Sequence, residues 1–188
     1  MRRILLALVA FALAGSATAR EQVQRDAAAG RLLADRAAEV LRQADRSAEI
    51  GPVLDTLHGA AARADADAYF GLYTPDAVFI GTDVSERWTL AQFRAYAAPI
   101  FAQGRGWTYT LRPGTRHIAV APDGRTAWFD EVLDSASYGT SRGTGVLVLT
   151  PQGWRIAQYH LTFPIPNDLA GEITARIRAH EARTPPAP

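Results

Sequence analysis

Apolar residues change their spacing for good at Trp107, and that change decides the fold class. Upstream, Leu54, Leu57, Ala61, Ala64, Ala68 and Leu72 recur every three or four residues, which gathers them on one face of a helix. Downstream, apolar and polar residues alternate over short stretches divided by turn residues, the pattern of half-buried antiparallel strands. Helices first and strands afterwards predict an α+β domain.

The punctuation of the chain gives provisional boundaries. Gly51-Pro52 reads as a helix N-cap and first-turn proline that opens the domain. Thr74-Pro75-Asp76 stops this helix, and Ala77 to Gly81 follows as a short strand. Thr89, with Gln92 three residues later, is a capping box announcing a second helix that runs to Gly104 and should kink at Pro99. The predicted meander comprises Trp107 to Arg112, Arg116 to Ala121, Arg125 to Ser135, Arg142 to Thr150 and Gly153 to Phe163. Pro122-Asp123-Gly124 and Pro151-Gln152-Gly153 form its tight turns. A polar helix from Asp168 to Arg183 and a Pro-rich tail to Pro188 close the chain, so residues 51–167 form the domain and 168–188 an appendage.

Ahead of the domain, residues 20–50 read as a polar leader helix or spacer, with a thin apolar stripe of Val23, Leu32, Leu33, Val40 and Leu41. No heptad persists long enough for a coiled coil. Residues 1–19 have the parts of an export signal: Arg2 and Arg3, an apolar run from Ile4 to Leu13, and small residues at Ala17-Thr18-Ala19. The run is about half the roughly 20 residues needed to span a bilayer, so the expectation is cleavage near Arg20 and a periplasmic or secreted protein with no membrane span after cleavage.

Losing Arg2 and Arg3 leaves 18 basic against 19 acidic residues, a net charge of −1. Every basic residue is arginine and these are scattered, so no nucleic acid or other polyanion partner is expected. Zero cysteines exclude disulfides, thiolate catalysis and zinc-cysteine sites. Stability must come from a packed core.

The segment Asp67-Ala68-Tyr69-Phe70-Gly71-Leu72-Tyr73-Thr74-Pro75-Asp76-Ala77-Val78-Phe79 resembles the opening of SnoaL-like domains in the nuclear transport factor 2-like superfamily. Gly143 to Leu149, followed by Gly153-Trp154-Arg155-Ile156-Ala157-Gln158-Tyr159-His160-Leu161, is similar to that family's closing hairpin. The likeness spans about Pro52 to Asn167. It implies a cone, a curved antiparallel sheet wrapped around the N-terminal helices, with a ligand pocket inside. It does not imply one activity, because the superfamily holds isomerases, dehydratases, cyclases, binding modules and assembly domains.

Catalytic members place an acid or base on the concave sheet face or the first helix. Strict alternation puts Trp154, Ile156, Gln158, His160 and Thr162 on one face of the last strand, and the resemblance makes that face the pocket side. The corresponding face of the long strand carries Trp128, Asp130 and Val132. His160 and Asp130 are therefore the candidate acid/base residues, about 9.5 Å apart if one strand separates theirs. Trp88, Trp107, Trp128, Gln158 and Glu86 are the candidate ligand-binding residues, Glu86 standing with Asp83 and Arg87 in a loop that could form the mouth. Arg142 is expected to pair with Glu131 or Asp134. His58, His117, His160 and His180 lack ligand spacing, so no metal is expected, and no motif calls for a cofactor.

Two functional classes follow, with a third behind them. The first is an exported module binding a small, partly apolar molecule. The second is an isomerase, dehydratase or cyclase using His160 or Asp130, and the third an assembly module. Val146 and Val148 on one face of their strand and Leu147 and Leu149 on the other leave neither side suited to water, so the convex side should meet a second copy in a homodimer.

Overall fold

The computed structural model describes the backbone of residues 2–183 and the side chains of 19–183. Most of the expected export signal lies outside the residues whose side chains are described. Two compact units meet in sequence at Asp45 and Arg46. The first is helical, with Val23, Leu32, Leu33, Val40 and Leu41 all exposed and ion pairs such as Arg42–Glu39 on its surface.

Helix α1 runs Arg2–Ala62 and does not start at Gly51-Pro52 as the sequence suggests. Pro52 lacks an N–H and crowds the carbonyl four residues back, which costs about 3 kcal/mol in a helix interior. Side-chain anchors just before it hold the helix across this point. Ile50 is fully buried, the Trp154 indole N–H donates to Glu49 at 2.9 Å, and Arg46 donates to the carbonyl of Gly124. The expected continuation to Leu72 is broken too. Ala64 takes a positive φ of 57°, and Asp65 caps a separate short helix, α2 (Ala66–Phe70), by accepting from the N–H of Ala68. The loop at Gly106 passes directly under the end of α1, where a Cβ would collide with the carbonyl oxygen of Ala61. Only glycine permits that approach.

Strand β1 spans Tyr73–Ile80 and pairs antiparallel with β2 (Arg87–Thr89), where the sequence reading had only a loop. Helix α3 (Leu90–Phe101) begins on the expected capping box of Thr89 and Gln92. The remaining strands are β3 (Thr110–Leu111), β4 (His117–Val120), β5 (Thr126–Ser135), β6 (Gly139–Thr150) and β7 (Gly153–Thr162), followed by α4 (Ala170–Glu181). The strand expected from Trp107 is thus reduced to two residues, leaving Trp107 free to pack as loop. Both β3 and β4 lie along β5 instead of pairing with each other. The sheet order is β2-β1-β7-β6-β5-β3; the β1–β7 pairing is parallel and the other pairings are antiparallel, so the sheet is mixed where the sequence implies an antiparallel one.

One irregularity decides which side chains point inward. Leu147 faces Ile156 across the β6–β7 ladder, but Val146 faces Gln158, so Ala157 is an extra residue without a partner. This bulge shifts the alternation of β7 by one. Trp154 and Ile156 are buried before it, and Tyr159 and Leu161 after it.

Candidate functional site

The inner face of the sheet carries an uncommon arrangement for a core. Ala127, Phe129, Glu131 and Leu133 of β5 alternate inward and all are buried, with Glu131 at 0 % exposure. An isolated buried carboxylate is expensive, so it must be paired. Its Oε1 lies 2.6 Å from Nε2 of His58, and its Oε2 accepts from Nε of Arg116 at 2.8 Å. Arg116 in turn donates to Asp55 at 2.8 Å and to the carbonyl of Gly51 at 3.2 Å. His58 and Asp55 come from α1, Arg116 from the turn before β4 and Glu131 from β5, so the cluster ties helix to sheet. An ionised carboxylate only accepts hydrogen bonds, which assigns the proton to Nε2 of His58 and leaves Nδ1 as its free position when the ring is neutral.

A cavity of about 200 Å³ opens on His58, while Glu131 and Arg116 stand behind it. Its walls are mainly aromatic: Trp88, Phe93 and Trp107 from the α3 side, Phe79 from β1 and Tyr159 from β7. Phe79 stacks on Phe93 with centroids 3.7 Å apart, and Tyr69 meets Trp107 edge to face at 5.7 Å. At one end Tyr138 stacks on Phe163 at 4.9 Å, and both line the opening. Burial pushes the Tyr159 hydroxyl well above the usual tyrosine range, and the charge of Glu131 pushes it further. Burial likewise raises Tyr109 to about 12, helped by Tyr138. These phenols stay protonated and able to donate. Gly143 makes room for one of them, since a Cβ there would fall 2.6 Å from the Tyr159 hydroxyl and 3.3 Å from Glu131 Oε1.

The residues singled out in the sequence divide into two groups. Trp88, Trp107 and Glu86 line the cavity. Gln158, His160, Asp130 and Trp128 do not; they stand on the outer face of the sheet. For Gln158 and His160 the cause is the bulge at Ala157, which turns the second half of β7 over and brings Tyr159 and Leu161 inward in their place. For Asp130 and Trp128 the alternation was right but its sign was reversed. Phe129 packs inward 6.0 Å from Tyr159, and Trp128 is 51 % exposed. Asp130 and His160 do share a row, both being partners of Thr144 from opposite sides. Arg142 pairs with neither expected carboxylate: Glu131 is taken by Arg116 and Asp134 by Arg112. Arg142 itself lies exposed on the outer face, opposite Val132.

His58, Glu131 and Arg116 have no role in the site on the sequence alone, where Glu131 is only a candidate partner of Arg142. The signal was present, because Glu131 is the single charge on a stripe of Ala127, Phe129 and Leu133, and His58 lies four residues after Leu54 on the buried helical face. Among the described residues, no three His, Asp or Glu side chains gather as a metal site would require.

Residues 50–166 match the family described as the SnoaL-like domain. Among solved structures, the chain is similar to a nuclear transport factor 2-like protein of unknown function from Pseudomonas putida, at 15 % identity and a TM-score of 0.53, over 65 % of this chain and 89 % of that one. A candidate aromatic ring hydroxylase from Novosphingobium aromaticivorans aligns at 19 % identity and 0.54, over 65 % and 91 %. A candidate dehydratase from Streptomyces avermitilis aligns at 17 % and 0.54, over 64 % and 96 %. At these identities the likeness is one of fold. No curated protein matches the chain.

Proposed function

Because the chain belongs to the SnoaL-like domain family, where fold leaves activity open, we propose that it is an exported module holding a small, partly apolar molecule in the cavity beneath His58. The observation that carries this reading is the cavity itself: about 200 Å³, walled by aromatic rings, with one imidazole at its base. Ligand pockets combine mostly apolar walls with a few placed polar groups, and this one is smaller than the roughly 300–1,000 Å³ usual for drug-sized molecules, which suits a ligand of about one ring. Native mass spectrometry of protein from its own host's exported fraction should find a retained small molecule, and His58→Ala should lower its occupancy. Empty protein from that source would count against the reading. N-terminal sequencing of the same fraction should begin near Arg20; an intact Met1 would remove the export component.

A second reading is supported by the 2.6 Å contact between His58 and Glu131. A carboxylate orienting an imidazole is the arrangement of a general base, so the isomerase, dehydratase or cyclase class passes from His160 and Asp130 to His58, with Glu131 positioning its ring. His58→Gln separates the two readings. Retained function supports binding, and lost turnover with retained binding supports proton transfer.

A further inference from the structure

The ligand class can be narrowed if the cavity is indeed a ligand site, the reading on which this step rests. Ten of the seventeen lining residues are aromatic, and the only carboxylate among them is Glu86. Glu86 is half-buried, and its side chain accepts one hydrogen bond, from the N–H of Asp83 at 3.2 Å. No cation pairs with it among the described residues. Asp83, in the same loop, is kept ionised by the hydroxyl and N–H of Ser85, which hold its carboxyl below the usual range. No arginine lines the cavity among the described residues. Arg116, behind His58, is already shared between Glu131 and Asp55.

These charges do not cancel. Asp83 and Arg87 of the mouth loop offset each other in charge; Glu86, Glu131 and Asp55 then stand against Arg116, leaving −2 with His58 neutral and −1 with His58 protonated. Trp88 and Trp107 both line the cavity, and an indole wall is one that an organic cation can pack against favourably. An anionic ligand would meet repulsion from Glu86. A neutral one would partly desolvate that carboxylate without compensating it. A cation with apolar substituents satisfies both features.

We propose that the cavity takes a small organic cation, a protonated amine or quaternary ammonium, with its apolar groups against Trp88 and Trp107 and its charge balanced by Glu86. What favours a cation is a loop carboxylate without a cationic partner and two indoles in a wall that, among the described residues, holds no arginine.

Titration calorimetry on the mature chain tests it with three probes: choline, its neutral isostere 3,3-dimethylbutan-1-ol, and benzyl alcohol. Choline should bind at least about tenfold more tightly than the isostere, a difference that calorimetry resolves easily. Glu86→Gln, whose amide oxygen can still accept from Asp83, should remove that preference by weakening choline, while benzyl alcohol, no longer desolvating a carboxylate, should bind at least as tightly as before. Equal or tighter binding of the isostere, or a preference that survives Glu86→Gln, overturns the cation assignment. If benzyl alcohol binds and choline does not, the cation assignment falls while the ligand-site reading stands. If none of the three binds, both fall.

Discussion

The two faces of strands β5 to β7 carry similar residue types and do opposite things with them. On the inner face Glu131 and His58 are buried and bonded at 2.6 Å, with Arg116 completing the charge balance. On the outer face Asp130 and His160 flank Thr144, half-exposed, with no ion pair to either among the described residues. A carboxylate and an imidazole in adjoining rows are therefore not a site by composition. Burial makes the inner pair obligatory, since each partner is what allows the other to be there, whereas water can satisfy the outer pair.

That contrast is broken most directly by removing each carboxylate. Glu131→Ala strands Arg116 and His58 in the interior and should destabilise the fold by about 3–5 kcal/mol, the usual effect of breaking a buried pair. Asp130→Ala, one residue away on the other face, should stay within about 0.5 kcal/mol. Chemical denaturation of both variants checks this, and similar losses would show that the faces are not energetically distinct. A smaller effect is expected at Gly145, whose added Cβ would sit 2.7 Å from Phe129 and closer still to the carbonyl of Gln158. Gly145→Ala should cost about 1–3 kcal/mol through overpacking of the inner face. In the same series His160→Ala should leave cavity binding of benzyl alcohol unchanged while His58→Ala weakens it.

Much of this architecture can be read from residue spacing, and the failure at the site has a specific physical source. The Thr89–Gln92 box, the two Gly-containing turns and the switch of period at Trp107 are local signals, and local structure follows them. Register is not local. Whether Gln158 or Tyr159 points inward depends on the unpaired Ala157, across which the pairing of β7 with β6 changes phase. Nothing in Arg155-Ile156-Ala157-Gln158 announces a bulge. The parallel β1–β7 contact is equally nonlocal, and so is the passage of α1 through Pro52, beside which Glu49 accepts from Trp154, 105 residues away. Glu131 was the exception, a charge on an apolar stripe that could have been found by asking which face would suffer from it.

The inner tyrosines sharpen the comparison through pH. Tyr69, Tyr73 and Tyr159 are held well above the ordinary range, first of all by burial. Unfolded tyrosines ionise at about pH 10. Above that pH the unfolded chain releases protons that the folded chain keeps, so stability is intact below about pH 10 and falls as pH rises past it. Tyr109, raised to about 12, adds to the slope until that pH is reached. Tyr159→Phe should reduce the slope by one proton, about 1.4 kcal/mol per pH unit. Unfolding free energies that stay flat between pH 9 and 11 would contradict the burial of these hydroxyls.

The smallest expected effect on the monomer's own stability, and the one that tests what the outer face is for, comes from Trp128. It stands among Ala119, Val146 and the neighbouring Val148, with half its surface exposed. Antiparallel sheets with a solvated face normally alternate apolar residues with polar ones, and here Val78, Val146 and Val148 are only half covered. We propose that this face meets its own copy in an isologous dimer, so that Trp128 of each chain lies near the two-fold axis or opposes a valine of the other. Removing its ring touches no buried neighbour of the monomer, and Trp128→Ser should change unfolding stability, measured at concentrations below dimerisation, by no more than about 0.5 kcal/mol. Association should respond strongly, because interface energy concentrates in a few large aromatics, and loss of one such residue weakens binding by about 2 kcal/mol or more. Light scattering and sedimentation at micromolar concentration should show a dimer for the unchanged protein and monomer for the variant. A monomeric unchanged protein would leave the outer valines facing water and remove the assembly role from this face. A dimer that survives Trp128→Ser would move the interface elsewhere on the sheet.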